Sequence, residues 1–298
     1  MTHASRSSSL LYKRAEMFQA VRRFFEERSV LEVDVPSLVR APIVDLHIDP
    51  MRVGSEFLIT SPESGMKQLL AKGSGDIYQI AHVFRAGEKG KLHNPEFTMV
   101  EWYRVGMGFE PFIDETVQFI SLFVGQAPRV FFSFQEAFLH FLRIDPFEAK
   151  DEELRALAEL PEDWDRETIL HYLMGFVIEP KFDPEIFTVV TDFPESEAAL
   201  AKIENGRAKR FEVYFGGFEL ANGYDELDDA AELRSRFVEA NRKRVQHGKE
   251  VLPLDEELLA AMEKGFPECC GVAVGFDRLL MLKLGADSIA HIQPCTMG

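Results

Sequence analysis

Five stretches of the chain are predicted to be helical. Within residues 10–28, Leu10, Met17, Val21 and Phe24 lie roughly at that spacing, with charged residues between them, which is typical of an amphipathic helix. Further helices are predicted at 61–71, where Ser61 is placed at the cap and Pro62 in the first turn, at 229–246, at 255–264 and at 276–284.

Shorter runs show the alternation or apolar composition of β-strands. They are predicted at 30–36, where Pro36 ends the strand, 57–60, 77–85, 97–103, 186–191, 210–215, 218–221 and 271–275. Because most of these strands follow one another without intervening helices, we expect an α+β fold, an antiparallel sheet flanked by helices. Residues from about 112 to 180 are helical in pattern and acidic, and are expected to form an insertion that packs beside the sheet.

The composition limits the class of protein. With 298 residues, 46% of them hydrophobic, the chain can bury a large core. A net charge of −17 disfavours general nucleic-acid binding, although a local basic strip would still be compatible with tRNA. The sequence contains neither an apolar run of the roughly 18 residues that a membrane span needs nor a signal-peptide core, so a cytoplasmic protein with no membrane partner is expected.

The three cysteines do not suggest a metal site. Cys269 and Cys270 are neighbours, Cys295 lies near the end of the chain, and no CxxC or Cys/His spacing is present. Reduced thiols are therefore expected. A catalytic cysteine lacks the Cys/His signature that would support it.

The segment 84–103 has the layout of a hairpin that holds a nucleotide. Arg85 stands where the first strand ends, close to Gly87, and Phe97 begins the second strand after a turn at Asn94 and Pro95. A bidentate guanidinium suits a phosphate or carboxylate, and an aromatic ring can stack on a base. The alternatives are a surface ion pair for Arg85 and an ordinary core position for Phe97.

Two pairs of polar residues are candidates for binding cations. Glu101 and Tyr103 share one face of a strand and could receive an ammonium group, the alternative being an exposed strand face. Glu212 and Glu219 lie on strands joined across 216–217 and could hold Mg²⁺, the alternative being solvated charges on an edge strand.

Arg278 opens the last predicted helix after a glycine-bounded strand, where a helix N-terminus and an Arg could bind an anion together. Asn222 precedes Gly223, and a turn-capping role is its simplest interpretation. Glu226 follows shortly after. The sequence lacks GxGxxG and GxxxxGK[ST], so neither a Rossmann nor a P-loop nucleotide site is supported.

Three segments in order resemble the motifs of the class II aminoacyl-tRNA synthetases. The chain contains FFEERSVLEVDVP, similar to motif 1, then FRAGEKGKLHNPEFTMVEWYR, similar to motif 2, and GVAVGFDRLLML, similar to motif 3. TSPESGMKQLL and FELANGYDEL resemble the lysine-specific stretches of lysyl-tRNA synthetases. The resemblance runs from about residue 10 to 285, and it is closest to the elongation factor P–(R)-β-lysine ligase family, the stand-alone paralogues of those synthetases.

The resemblance implies a reaction and its partners. A ligase of that family adenylates (R)-β-lysine, or lysine, with ATP and Mg²⁺, and transfers it to a lysine of elongation factor P. It implies one catalytic domain over 1–298, usually a homodimer, and no anticodon-binding domain, so tRNA is the less favoured acceptor. Two other readings stay open: a truncated lysyl-tRNA synthetase-like enzyme that charges tRNA, and a catalytically silent binding or regulatory protein.

The resemblance also assigns roles to residues. ATP would contact Arg85 at the α-phosphate, Arg278 at the γ-phosphate and Phe97 at the adenine, with Glu88 and His93 nearby. Arg85 would hold the amino acid carboxylate as well, and Arg85 and Arg278 are the expected catalytic residues. Glu212 and Glu219 would carry Mg²⁺.

The amino acid itself would be bound by Glu101, Tyr103 and Glu226 at its side-chain amine, Glu63 at its second amine and Asn222 at its carboxylate end. Ala273 stands where lysyl-tRNA synthetases have Gly, a change associated in the ligase family with β-lysine.

Two positions depart from the family pattern. The motif 2 acid usually follows the Arg by two residues, where this chain has Gly87 and then Glu88, and Ser29 stands in place of a motif 1 Gly.

Overall fold

A computed structural model describes residues 3–293, with the backbone alone for residues 3–9. The chain forms two compact units. The first contains the residues up to Gly125 and those from Leu227 onward, and the second is Gln126–Glu226. Each unit contains both strands and helices. The single catalytic domain with an insertion at about 112–180 stays a prediction.

Nine α-helices lie within residues 3–293: α1 His3–Glu26, α2 Glu63–Ala71, α3 Phe109–Val124, α4 Phe134–Leu142, α5 Asp151–Ala156, α6 Arg166–Tyr172, α7 Ala230–Gln246, α8 Glu256–Lys264 and α9 Phe276–Leu284. Shorter helical turns are the π-helical turn Leu173–Ile178 and the 3₁₀ turns Glu179–Lys181, Glu195–Glu197 and Ile289–His291.

Twelve strands lie within the same residues: β1 Leu31–Glu32, β2 Leu38–Val39, β3 Arg52–Val53, β4 Glu56–Leu58, β5 Ile77–Phe84, β6 Glu96–Val105, β7 Arg129–Ser133, β8 Phe187–Pro194, β9 Ile203–Glu204, β10 Arg207–Phe215, β11 Phe218–Asp225 and β12 Cys269–Gly275.

In the first unit, β6 is the central strand, with β5 antiparallel on one side and β12 antiparallel on the other. β1 extends this sheet parallel to β5, and a small separate sheet has the order β2-β4-β3. The register sets Gln79, Glu101 and Ala273 in one row across the three strands. Directly paired residues of antiparallel strands point to the same face, so this row forms part of one surface.

The two faces of β6 have different environments. Trp102 is fully buried on one face, where its ring contacts Phe25 of α1 and Phe119 of α3. Tyr103 points to the other face and packs with Met66 and Leu70 of α2. The alternation therefore turns Phe97, Met99, Glu101 and Tyr103 toward the side that α2 covers.

In the second unit, β10 lies between β8 and β11, with β7 parallel to β8 and β9 beside β10. The core between this sheet and its helices contains Phe138, Leu170, Leu173, Phe193 and Tyr214. Because Tyr214 belongs to this core, the face of β10 that carries Arg210, Glu212 and Tyr214 is the face that the helical segment covers.

Several local predictions were wrong. The strand expected at 30–36 is reduced to β1, and the helical stretch contains β7, because its alternating Arg129–Ser133 pairs with β8. Two of the strand pairs are parallel, although the sheets are mainly antiparallel as expected. α2 begins one residue later than predicted, with Pro62 instead of Ser61 at the N-cap.

The cysteines that the structure describes agree with the expectation. Cys269 and Cys270 are buried, reduced thiols, and Cys295 lies outside the described residues. Among residues 3–293, the helices are all too short or too polar to cross a membrane.

Candidate functional site

The hairpin of β5 and β6 presents Arg85 at the point where its connecting loop begins. The loop is closed by a bond from the Arg85 N–H to the Pro95 carbonyl at 2.9 Å, and the Ala86 N–H donates to Asp49 at 2.7 Å. Gly87 has φ = +80°, a left-handed conformation that side chains rarely adopt, which explains a glycine at this position of the loop. The acid that motif 2 usually has at the position of Gly87 stands one residue later in this chain, at Glu88.

Arg85 and Phe97 lie against each other. The guanidinium carbon is 5.0 Å from the centre of the Phe97 ring, its Nε donates to the Thr60 carbonyl at 3.4 Å, and Nη1 is 3.8 Å from Glu88 Oε1. The Arg85 side chain keeps 22% of its surface exposed, and Phe97 is only partly buried. Arg85 thus faces both Glu88 and the Phe97 ring, and Phe97 packs at the edge of a buried cluster that contains Met99. The nucleotide-binding roles of both residues stay predictions.

Arg278 is the third residue of α9 and lies beside the hairpin loop. Its Nη2 is 2.9 Å from Nε2 of His93, which accepts when that nitrogen carries no proton. Gly275 forms the N-cap without any side-chain bond to the helix, so the first N–H groups of α9 point outward beside Arg278. This end of the helix concentrates positive potential where an anion would bind.

A buried ion pair joins α1, β6 and α9 directly behind these residues. Arg14 donates to Oδ1 of Asp277 and to the hydroxyl of Thr98, each at 2.6 Å, and Asp277 Oδ2 accepts from the Thr98 N–H at 2.8 Å. Asp277 precedes Arg278, and Thr98 follows Phe97. The ion pair therefore fixes the backbone at both candidate ATP contacts.

Glu101 and Tyr103 form a buried polar site, so the exposed strand face is excluded. Each has only 2% of its surface exposed. The Tyr103 hydroxyl donates to Glu101 Oε1 at 2.7 Å, and the Ser61 hydroxyl donates to Oε2 at 2.5 Å. Burial, followed by repulsion from Glu63, raises the pKa of Glu101 to about 7. Because burial and a neighbouring acid disfavour its ionised form, this carboxylate is stabilised when an ammonium group binds beside it.

Glu63 and Ala273 border this site. Glu63 opens α2, and its Oε1 lies 2.6 Å from Nζ of the buried Lys67. Ala273 pairs directly with Glu101 across β12 and β6. Its methyl group lies on the same face of the sheet as the carboxylate, where a glycine would leave space.

In the second unit, Glu212 is buried on the central strand β10, so it is not a solvated charge on an edge strand. Arg210 donates to its Oε1 and Tyr214 donates to its Oε2. Burial raises the pKa of Glu212, with repulsion from Glu219 adding to the shift and Arg210 opposing it.

A β-bulge brings a second acid to the same face. Val213 pairs with Ala221 whereas Tyr214 pairs with Glu219, so β11 contains an extra residue at this point. Glu219 consequently takes the place beside Tyr214 that Leu220 would have in a regular ladder.

A third acid, Glu179, lies close to the same hydroxyl, with its Oε1 3.1 Å from the Tyr214 oxygen. Burial, followed by Glu212 and then Glu219, raises the pKa of Glu179 to about 8.

Asn222 and Glu226 also lie in the second unit. Asn222 pairs with Glu212 inside β11 and accepts from Arg210 Nε at 3.2 Å, so the turn-capping interpretation was wrong. Glu226 is 1% exposed and forms an isolated bridge with Ala201. Burying a carboxyl group costs free energy unless hydrogen bonds or an ionic partner compensate for it.

The carboxylates of the second unit fit a magnesium ion that is held largely by phosphates. Mg²⁺ in nucleotide sites commonly takes one or two protein carboxylates and completes its shell with water and phosphate oxygens. Glu212 and Glu219 supply that number, and their repulsion is what a dication would relieve. Within residues 3–293, no group of three or more acidic, His or Cys residues is arranged as a metal cage.

Several residues of these clusters were missed from the sequence: Ser61, Lys67, Glu179, Arg210 and Tyr214. Arg210, Glu212 and Tyr214 alternate along one strand, and Lys67 follows Glu63 by four residues on α2. These spacings were available signals for shared faces. Glu179 gave no such signal, because it reaches Tyr214 from a distant turn.

The chain matches known proteins over nearly its whole length. Residues 1–295 match the family model of the class II tRNA synthetases (D, K and N). The elongation factor P–(R)-β-lysine ligase of Vibrio cholerae is 45% identical, with 96% of this chain and 94% of the relative aligned. The proteins of that name from Edwardsiella ictaluri and Salmonella typhi are each 43% identical, with 95% of this chain and 93% of each relative aligned. The chain therefore belongs to the class II tRNA synthetases (D, K and N) and, within them, to the elongation factor P–(R)-β-lysine ligase family.

Proposed function

We propose that this protein is an ATP-dependent ligase that adenylates (R)-β-lysine, or lysine, and transfers it to the ε-amine of a lysine on elongation factor P. The observation that carries the proposal is the buried Glu101, which accepts hydrogen bonds from Tyr103 and Ser61. Glu101 lies on β6, the strand that also contains Phe97. A buried acid with a raised pKa favours an amine as its ligand. The hairpin beside it contains a cation and an aromatic ring that could contact a nucleotide. The relatives carry the name of this reaction.

The first step is in-line attack of the amino acid carboxylate on the α-phosphorus of ATP. A P–O bond forms, the bond to the bridging oxygen breaks, and pyrophosphate leaves. Arg85 holds the α-phosphate and the carboxylate, Arg278 and His93 hold the γ-phosphate, and Phe97 stacks on the adenine, with Glu88 beside it. Positioning and fixed positive charge, without a protein nucleophile, lower the barrier.

The amino acid is held by its charged groups. Glu101, Tyr103 and Glu226 bind the side-chain amine, Glu63 binds the second amine, and Asn222 binds the carboxylate end. Ala273 narrows the space beside Glu101, which favours the β-isomer. The ε-amine of the acceptor lysine then attacks the acyl carbon, and AMP leaves.

Glu212 and Glu219 would hold the Mg²⁺, which would supply positive charge for the phosphates. Arg210 and Tyr214 donate hydrogen bonds to the two carboxylate oxygens of Glu212 and so fix its orientation.

The Mg²⁺ dependence of adenylation tests this assignment. We expect Glu212→Gln to raise the Mg²⁺ concentration for half-maximal activity by about 10-fold or more. Glu204→Gln, at an exposed acid of the same unit that pairs with Lys209, is the matched control and should leave it unchanged.

The acceptor is tested directly by following labelled amino acid. The protein is incubated with ATP and labelled (R)-β-lysine or α-lysine, and either elongation factor P or tRNA is added. Label on the protein factor supports the ligase, and label on tRNA supports the synthetase reading. Absence of an adenylate with either isomer would leave only a catalytically silent binding protein.

We also propose that the protein is a homodimer and lies in the cytoplasm. Analytical ultracentrifugation tests the oligomeric state, and cell fractionation tests the location.

A further inference from the structure

Lys67 is a buried cation beside the proposed amino acid pocket. Its side chain is 1% exposed, and its Nζ lies 2.6 Å from Oε1 of Glu63, one helical turn earlier on α2. A buried ammonium is costly and is retained where it has an ionic partner. The ion pair of Lys67 and Glu63 is therefore an integral part of this pocket. The reaction proposed above assigns no role to Lys67.

The ion pair is coupled to Glu101. Ser61 joins the two, because its hydroxyl donates to Glu101 Oε2 at 2.5 Å and accepts from the Glu63 N–H at 3.1 Å. Burial and Glu63 act against the ionised form of Glu101, whereas Lys67 favours it. Three charged groups thus share one buried space.

Lys67 is the cation that favours the ionised form of Glu101, and Arg85 lies nearby, where it donates to the carbonyl of Thr60 next to Ser61. On β6 the neighbour is Tyr103, and in the paired positions of β5 and β12 Glu101 faces Gln79 and Ala273, which are uncharged. The amide of Gln79 is bonded to the backbone of Val35. On α8, which packs on α2, the acid Asp255 bonds to Ser64 and Gln68 on that helix.

A carboxyl group confined beside a carboxylate in a medium of low dielectric ionises less readily, since like charges repel. A protonated carboxyl group attracts an ammonium much less than a carboxylate does. We propose that Lys67 is a positioning residue of the amino acid pocket, whose ammonium offsets the Glu63 charge so that Glu101 ionises near neutral pH and the pocket stays selective for amine-bearing amino acids. The inference rests on the proposed function of this pocket.

The test is the pH profile of the KM for lysine and for (R)-β-lysine in ATP–pyrophosphate exchange. We expect Lys67→Met to raise this KM by at least about 10-fold at neutral pH, and the increase to shrink as pH rises toward about 8.5, where Glu101 ionises more fully without Lys67. The KM for ATP should stay within about twofold. Lys72→Met, at an exposed lysine just after the same helix, is the control.

A second variant separates charge from packing. In Lys67→Met/Glu63→Gln the repulsion on Glu101 is removed together with the ammonium, so the added pH dependence should disappear even where the KM itself is altered. If Lys67→Met changes the KM by the same factor at every pH, Lys67 is only structural and the inference is wrong. If the wild type exchanges neither isomer, the proposed function fails instead.

The wild-type protein supplies a check that does not depend on the folding of a variant. Calorimetric titration with the amino acid at about pH 8, in two buffers of different ionisation enthalpy, measures the protons released on binding. Because pH 8 lies above the Glu101 pKa of about 7, we expect release close to zero. Release of about one proton per amino acid would overturn the inference, since it would show that Glu101 stays protonated despite Lys67.

Discussion

The hydroxyl of Tyr103 donates a 2.7 Å hydrogen bond to Oε1 of Glu101, two residues earlier on the same face of β6. Removing it should weaken amine binding, because the bond favours the ionised carboxylate. We expect Tyr103→Phe to raise the amino acid KM by roughly 10- to 100-fold, the scale for a hydrogen bond to a charged group, with little change in the KM for ATP. Steady-state kinetics measure both constants.

Tyr78→Phe is the matched control. Tyr78 is also buried in this sheet and donates to a carboxylate, Glu32, at 2.9 Å. It points to the face that packs on Phe25, away from Glu101. Loss of this hydrogen bond should lower the free energy of unfolding and leave the KM for the amino acid unchanged. Equal effects of the two variants on that KM would contradict a specific role for Tyr103.

The raised pKa of Glu101 predicts how stability depends on pH. Burial and Glu63 raise this pKa from 4.5 to about 7 in the folded protein. A raised carboxyl pKa contributes stability that is fully present below about pH 4.5 and is lost as pH rises through about 7. Glu101→Gln lacks this titration. Its stability relative to wild type should therefore increase by about 1–3 kcal/mol between pH 5 and pH 8 in urea unfolding.

A flat difference for Glu101→Gln would show that the carboxyl titrates normally in the folded state.

The local patterns predicted most of the elements that carry the site. The helix 276–284 and the two strands of the hairpin were found close to their observed bounds, because their apolar periodicity is strong and glycines delimit them. The pairing of Ala273 with Glu101 could not be read locally, since it depends on the order of strands in the sheet. Likewise, the burial of Glu212 follows from the helices that cover β10, which tertiary packing decides.

Arg278 is predicted to act on the phosphates of ATP. Arg278→Ala should lower adenylation by at least about 10²-fold, the scale for losing a preorganised charge contact. Exchange of labelled pyrophosphate into ATP measures it. Lys283→Ala, at a cation on the same helix that donates to the Phe123 carbonyl, should have little effect on the rate. Near-normal exchange in the Arg278 variant would remove this residue from the site.

Ser29 adopts φ = +57°, the left-handed conformation that its position in motif 1 requires. Glycine has no Cβ to oppose this conformation, so Ser29→Gly should stabilise the protein by about 0.5–1 kcal/mol. Ser29→Val should destabilise it by a similar or larger amount, because a branched side chain tolerates this backbone poorly. Denaturant unfolding of the two variants measures both effects, and stabilisation by valine would refute the account.

Arg14 and Asp277 should matter for both stability and ATP binding. The pair is buried, with 13% and 5% of the side chains exposed, and Arg14→Gln leaves the Asp277 charge without its guanidinium. We expect a loss of about 3–5 kcal/mol, the cost of breaking a buried ion pair by removing one partner. The KM for ATP should also rise, since Asp277 bonds to the backbone next to Phe97 and precedes Arg278.

The neighbouring Lys13 offers the control, because it forms an exposed ion pair with Glu16 on the same helix. Lys13→Gln should cost no more than about 1 kcal/mol and leave the ATP KM unchanged. Arg14→Gln/Asp277→Asn should recover part of the lost stability, since the neutral amide can still accept from the Thr98 N–H. Full additivity of the two substitutions would show that Arg14 and Asp277 act independently, and the backbone at Phe97 and Arg278 would then need another support.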